Sequence, residues 1–66
     1  MHTMKYIVQT DGMPYITTTP EAALSKAALL IWFPHGKIAE YRKALSEGES
    51  VTLVYGFKTV SITVEN

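Results

Sequence analysis

Sixty-six residues without a single cysteine exclude a disulfide-stapled scaffold and a thiolate metal site. Six basic and six acidic residues cancel to a formal charge of zero, which argues against a general binder of nucleic acid or another polyanion. Hydrophobic residues make up 47% of the chain, and a domain this small has few interior positions, so some of them are expected at an interface.

The length predicts one small domain over residues 1–66 whose own stability is marginal, because a chain of this size buries only about 60% of its unfolded surface. Oligomerisation commonly supplements such domains. His2 and His35 alone make no metal site. We therefore expect a homodimer without metal or cofactor. Residues 1–3 precede a second methionine and are interpreted as a tag or a disordered start, without a functional role.

A β-hairpin is predicted at the start of the chain. A stretch rich in β-branched and aromatic residues ends at Asp11-Gly12, a strong turn signal because both residues tolerate positive φ. The return strand covers residues 13–18, and Pro14 places it at a sheet edge or kinks it there, because proline cannot donate to a ladder. A two-residue loop pairs Val8 with Tyr15, whereas a three-residue loop pairs Val8 with Pro14. Both registers stay open.

Two helices are predicted next. Thr19-Pro20-Glu21 begins the first with a capping hydroxyl, a tolerated proline and a favourable acidic charge. This helix is expected from Pro20 to about Trp32, and its last turns are apolar all round, which requires enclosure by the domain or by a partner. Pro34-His35-Gly36 ends it. The second helix is expected over Lys37–Glu47, with Gly48 as its C-terminal cap.

The closing segment predicts a second hairpin, because its apolar alternation changes parity after Gly56 and only a turn keeps all apolar residues on one face. The turn is either a loop around Phe57-Lys58, which pairs Tyr55 with Val60, or a type II′ turn at Gly56-Phe57, which shifts that pairing by two residues. The residues placed on this face are Val51, Leu53, Tyr55, Val60, Ile62 and Val64.

The element order ββααββ predicts an α+β fold in which the two β-hairpins form one antiparallel sheet and both helices pack on its apolar face. The opposite face is small and uncharged around the closing hairpin, which suits another sheet or protein better than a phosphate backbone. Its residues there are Thr52, Val54, Ser61 and Thr63.

No catalytic motif is present in the sequence: it contains no cysteine nucleophile, no glycine-rich phosphate loop and no serine in an elbow context. His35 has no orienting partner nearby in sequence and is interpreted as a surface turn residue. We therefore expect a protein that is not an enzyme and that has no catalytic residue.

Aromatic side chains are the candidate protein-binding residues, because buried aromatics dominate interface energetics. The candidates are Trp32, Phe33, Tyr41 and Phe57. For Trp32 and Phe33, closing the core is an equally open role. A base-stacking platform made of the tyrosines and Phe57 lacks the surrounding arginines and lysines that such a surface needs. The tyrosines are Tyr6, Tyr15, Tyr41 and Tyr55.

The sequence thus predicts a small cytoplasmic regulatory protein that binds another protein. Inhibitors or adaptors of the kind that phages and plasmids encode offer an analogy by association only. The alternative partner is DNA, bound by a helix-turn-helix over residues 20–32 and 37–47 with a hairpin wing, and contacted by Lys37, Arg42 and Lys43. No membrane partner is expected, since the longest apolar run, residues 27–33, is too short to cross a bilayer.

Overall fold

The computed structural model describes residues 4–65, which form four antiparallel strands and two α-helices. The strands stand in the order β2-β1-β4-β3 within one open sheet, which confirms the predicted α+β fold. Residues 1–3, interpreted from the sequence as a tag or a disordered start, lie outside the described residues. The elements are β1 (Lys5–Thr10), β2 (Met13–Thr17), α1 (Pro20–Leu30), α2 (Ile38–Ser46), β3 (Val51–Tyr55) and β4 (Lys58–Glu65).

The hydrophobic core lies between the helices and one face of the sheet, which we call the inner face. Strand side chains alternate between the two faces, so every second residue of each strand points toward the helices. The small side chains of Ala23 and Ala27 are fully buried, which brings α1 close to the sheet, and Leu45 is the fully buried residue of α2. The buried inner-face hydrophobics are Tyr6, Val8, Val51, Leu53, Val60 and Ile62.

The first hairpin turns at Asp11-Gly12, as predicted. Asp11 has φ of 49° and Gly12 has φ of 77°, the positive values that a type I′ turn requires at both central positions. Val8 therefore pairs with Tyr15, which confirms the two-residue loop and shows that the three-residue alternative is wrong. Strand β2, which carries Pro14, lies at an edge of the sheet as expected.

The second hairpin turns at Gly56-Phe57, so the loop around Phe57-Lys58 is wrong. Gly56 has φ of 63° while Phe57 has no positive φ, the combination of a type II′ turn. Tyr55 consequently pairs with Lys58, and Leu53 pairs with Val60. The apolar residues share the inner face under either register, because a shift by two residues leaves side-chain direction unchanged.

Helix α1 begins as predicted and ends earlier than predicted. The Thr19 hydroxyl accepts a hydrogen bond from the Ala22 backbone N–H at 3.1 Å. The helix ends at Leu30 rather than near Trp32, because the backbone becomes extended at Ile31, with φ of −151° and ψ of 148°. Extended backbone alternates its side chains, so Ile31 and Phe33 are buried while Trp32 points outward.

Helix α2 begins at Ile38, one residue later than predicted, because Lys37 is the last residue of a short 3₁₀ turn. The Lys37 N–H donates to the Pro34 carbonyl at 3.0 Å. It ends in a Schellman motif, with Gly48 as the predicted cap. The Gly48 N–H donates to the Leu45 carbonyl at 3.1 Å, and the Glu49 N–H donates to the Ala44 carbonyl at 2.9 Å.

Gly48→Ala is expected to lower the free energy of unfolding by about 1–2 kcal/mol, the usual cost of a left-handed residue with a Cβ. Gly48 has φ of +84°, and an added Cβ would meet nothing within 4 Å, so the cost comes from the backbone alone. Gly36→Ala is the control, since Gly36 has equal room and no positive φ. Urea unfolding followed by circular dichroism measures both, and equal losses would contradict the cap.

Candidate functional site

Three aromatic side chains near one end of the sheet are solvent exposed, and we call them the aromatic surface: Trp32, Tyr55 and Phe57. Trp32 is 59% exposed, Tyr55 is 58% exposed, and Phe57 is fully exposed at 111% of its reference area. The rings of Trp32 and Tyr55 lie in contact, with centroids 5.3 Å apart and planes tilted by 55°. Phe57 follows Tyr55 by two residues at the tip of the β3–β4 hairpin.

Local backbone geometry positions each member of the aromatic surface. Trp32 points outward because the extended segment after α1 buries its two neighbours instead. Tyr55 is the last residue of β3 and lies on the inner face, where Trp32 covers one side of its ring. Phe57 occupies a turn position that is usually glycine, asparagine, aspartate or serine. Turn chemistry therefore does not explain a phenylalanine there.

An apolar groove runs between α1 and α2 and reaches the aromatic surface at Trp32; we call it the interhelical groove. Its larger part has a volume of about 270 Å³, and an adjoining part of about 120 Å³ ends at Trp32. The two parts lie side by side, with Ala28, Phe33 and Ile38 in the lining of both. The charged lining residues are Glu21 and Arg42, both in the larger part.

The four predicted protein-binding residues separate into two pairs. Trp32 and Phe57 belong to the aromatic surface. Phe33 is only 9% exposed and packs edge-to-face against the half-buried Tyr41, with ring centroids 5.7 Å apart. Phe33 also lines the interhelical groove. Tyr55 was predicted on the apolar face of the closing hairpin and was not named as a protein-binding residue, yet it is 58% exposed. Its position at the end of a strand, next to the turn, was the available signal.

The predicted DNA-contacting residues all lie on or beside α2. Lys37 pairs with Glu40 at 3.3 Å, Arg42 lines the interhelical groove, and Lys43 is exposed. Helix α1 ends at Leu30 and α2 begins at Ile38, so the connection is longer than the three or four residues of a typical helix-turn-helix. Among residues 4–65, therefore, the spacing does not match the predicted motif.

The tyrosines do not share one open face. Tyr6 is buried in the core, and Tyr41 packs on Phe33. Tyr15 is half-buried on the inner face, where the Lys26 ammonium lies 4.0 Å from its ring centre. A base-stacking platform would need these rings side by side on an uncovered surface. The structure instead distributes them between core and surface.

The described residues hold no cluster of three or more histidine, aspartate or glutamate side chains that could coordinate a metal ion. No helix among residues 4–65 has the length and apolar character needed to cross a bilayer. No family model matches the sequence, and comparisons with curated proteins and with solved structures gave no significant match. Function is therefore inferred from the exposed surface and its chemistry.

Proposed function

We propose that this protein is a small non-enzymatic binding protein that contacts another protein through the aromatic surface and the adjoining interhelical groove. The observation that carries this proposal is the exposure of Trp32, Tyr55 and Phe57, each of them more than half accessible to solvent. Contiguous exposed apolar surface on a small protein commonly marks an interaction site. A regulatory role as an inhibitor or adaptor, a homodimeric state and a cytoplasmic location belong to the same proposal.

The energetics of aromatic burial support this proposal. Each aromatic side chain buries about 150–250 Å² when fully covered, so the exposed parts of the three rings offer roughly 400 Å². At about 25 cal/mol per Å² this area contributes roughly 10 kcal/mol of gross stabilisation. Association itself costs about 4–15 kcal/mol, so the rings anchor a complex whose remaining affinity comes from neighbouring contacts. The interhelical groove lies where such contacts are needed.

The chemistry of the surface indicates an apolar partner segment. The three aromatic residues carry no charge, and the linings of both parts of the groove are mainly apolar. Glu21 and Arg42 place one acidic and one basic side chain along the same groove. These opposite charges favour a partner with its own pair of charges over a uniformly acidic or basic one.

The test compares wild-type protein with a Trp32→Ala, Phe57→Ser double variant as bait for affinity capture from the native cell. The partner identified with wild type is then titrated against each protein by calorimetry. Truncating a hot-spot aromatic costs at least about 2 kcal/mol, so the loss of two is expected to weaken binding by about 1,000-fold. Ile16→Ser is the control, because Ile16 is exposed to a similar extent, 64%, and lies on β2.

Equal binding by wild type and the double variant would contradict the proposed surface. Circular dichroism of the double variant confirms that lost binding is not lost folding. Salt-sensitive retention of duplex DNA, abolished by Arg42→Ala with Lys43→Ala, would support the DNA alternative instead.

A further inference from the structure

The two edge strands of the sheet, β2 and β3, differ in how they face solvent. In an antiparallel sheet, every second residue of a strand forms backbone hydrogen bonds to one neighbouring strand, and the residues between point their backbone groups the other way. In a hairpin with a two-residue turn, the two residues that flank the turn are hydrogen-bonded to each other. The flanking pairs are Thr10 with Met13 and Tyr55 with Lys58. The backbone groups that point away from the sheet therefore belong to Pro14 and Ile16 in β2, and to Thr52 and Val54 in β3.

The β2 edge is protected against further pairing. Pro14 has no backbone N–H, so one of the two outward donors of this strand is missing. Pro14 lies at a position that makes no backbone hydrogen bond to β1, so the proline costs the sheet nothing. Proline at such a position is a common way in which edge strands avoid pairing with a further strand. The β2 edge is thus a poor template for another strand.

The β3 edge carries none of these protections. Residues 51–55 contain no proline and no charged side chain, and their pairing with β4 runs without a bulge. Thr52 and Val54 both keep their outward N–H groups, and Val54 is 66% exposed. Among residues 4–65, no strand other than β4 pairs with β3. An uncharged, regular edge of this kind readily accepts another strand.

We propose that β3 pairs antiparallel with β3 of a second copy across a twofold axis and so joins the two four-stranded sheets into one. This proposal rests on the homodimer of the proposed function and gives that homodimer its interface. A twofold axis requires the contact patch to be complementary to itself. An antiparallel pair of identical strands meets this condition, because each copy offers the other the same donors and acceptors.

The register with the greatest overlap is centred on Leu53. It places Thr52 opposite Val54 of the second copy, so their outward N–H and C=O groups bond to each other on both sides of the axis. It also places Val51 opposite Tyr55 of the second copy on the inner face. Aromatic residues paired with β-branched residues are favourable cross-strand neighbours. Pairing thus covers exposed apolar surface at Val54 and Tyr55.

Charge at the strand ends favours a second copy as the occupant. Residues 50–57 carry no charge, while Glu49 lies just before this stretch and Lys58 just after it. Antiparallel pairing brings the Glu49 end of one strand toward the Lys58 end of the other. Each end of the interface therefore brings together an acidic residue of one copy and a basic residue of the other, and no like charges oppose each other along the edge.

The size of this interface predicts a weak dimer. A five-residue edge is roughly 17 Å long, and with the side chains of Val54 and Tyr55 it buries roughly 500 Å² per copy. Specific complexes bury about 1,200–2,000 Å² in total, so the paired edges, with roughly 1,000 Å² in total, fall below that range, where weak complexes lie. We expect a dimer at hundreds of micromolar that dissociates on dilution.

Sedimentation equilibrium tests the proposal with two matched variants, Val54→Lys and Ile16→Lys. Both residues are β-branched, similarly exposed and on edge strands, but they lie on opposite edges of the sheet. Wild type and Ile16→Lys are expected to approach twice the chain mass of 7.3 kDa at high concentration. Val54→Lys is expected to stay at that single-chain mass, with a dimer dissociation constant at least about 10-fold larger. Circular dichroism checks folding.

Amide hydrogen exchange on the wild-type protein provides a second measurement that needs no variant. The amides of Thr52 and Val54 are expected to exchange more slowly as concentration rises, while the Ile16 amide does not change. A wild-type protein that stays monomeric at every concentration would overturn the edge pairing. Partner binding through Trp32 and Phe57 is tested separately, by the calorimetric titration described above. A dimer that persists in Val54→Lys, with unchanged exchange at Thr52, would also overturn it.

Discussion

Leu45→Ala is expected to lower the free energy of unfolding by about 2–5 kcal/mol, the range for a buried leucine replaced by alanine. Leu45 has no exposed surface, and it is the fully buried residue through which α2 joins the core. A domain of this length has a total stability of about 3–10 kcal/mol. The substitution therefore removes a large part of that stability and unfolds a measurable fraction of the protein at 25 °C.

The control for this prediction is Leu29→Ala, the same substitution on the other helix at a side chain that is 80% exposed. An exposed position changes stability by no more than about 0.5 kcal/mol. Urea unfolding of both variants, followed by far-ultraviolet circular dichroism, gives the comparison. Similar losses in the two variants would mean that α2 does not pack through Leu45, which would contradict the described core.

Phe33→Ala is expected to lower the free energy of unfolding by about 3–5 kcal/mol, because a buried phenylalanine leaves a large cavity. Phe33 is 9% exposed, and its ring packs edge-to-face on Tyr41. Such aromatic pairs contribute about 0.5–1.5 kcal/mol beyond the area they bury. The ring also lines the interhelical groove, between residues of α1 and α2, so its loss weakens the packing of the two helices.

The adjacent Trp32→Ala is the matched control, with an expected loss below about 1 kcal/mol because the indole is mostly exposed. Circular dichroism reports unfolding of both variants, since Trp32 is the only tryptophan and its substitution removes the fluorescence signal. If Trp32→Ala unfolded the protein while Phe33→Ala did not, the assignment of core and surface along this segment would be reversed.

The different surroundings of Phe33 and Trp32 could not be predicted from the local sequence. Both are large aromatics, and composition alone gave them the same two roles, core or interface. Helical periodicity does not separate them, because the helix ends at Leu30 and the backbone is extended from Ile31. Alternation along the extended segment then sends Phe33 inward and Trp32 outward. That outcome depends on where α1 stops, which local sequence signals predicted only to within two residues.

The hairpins were predicted more completely, since their determinants are local. Asp11-Gly12 meets the demand for positive φ at both turn positions, and Gly56 meets it at the first position of the second turn. The parity change after Gly56 predicted the inner face correctly, although the register stayed open between two choices. Side-chain direction repeats every two residues, so a shift by two residues changes the partners and not the face.

The candidate site was only partly predictable from the sequence. Trp32 and Phe57 were named from the sequence, yet Tyr55 was assigned to the core face. Tyr55 does lie on that face, but at the strand end, where the covering side chain is the half-exposed Trp32 rather than a helix. Whether a helix reaches the end of a strand depends on how the layers are aligned. Periodicity along one strand carries no information about that alignment.

The sequence by itself determined the element order, the places of the two hairpins, the caps at Thr19 and Gly48 and the inner face, because each follows from residues within a few positions of one another. Only the tertiary structure decided that β1 pairs with β4 and that β3 therefore lies at an edge opposite β2. This strand order is fixed by contacts between segments that are far apart in the sequence. Strand propensity alone does not select it, because strands of similar propensity are equally able to pair with one another. The unprotected β3 edge is a consequence of those long-range contacts.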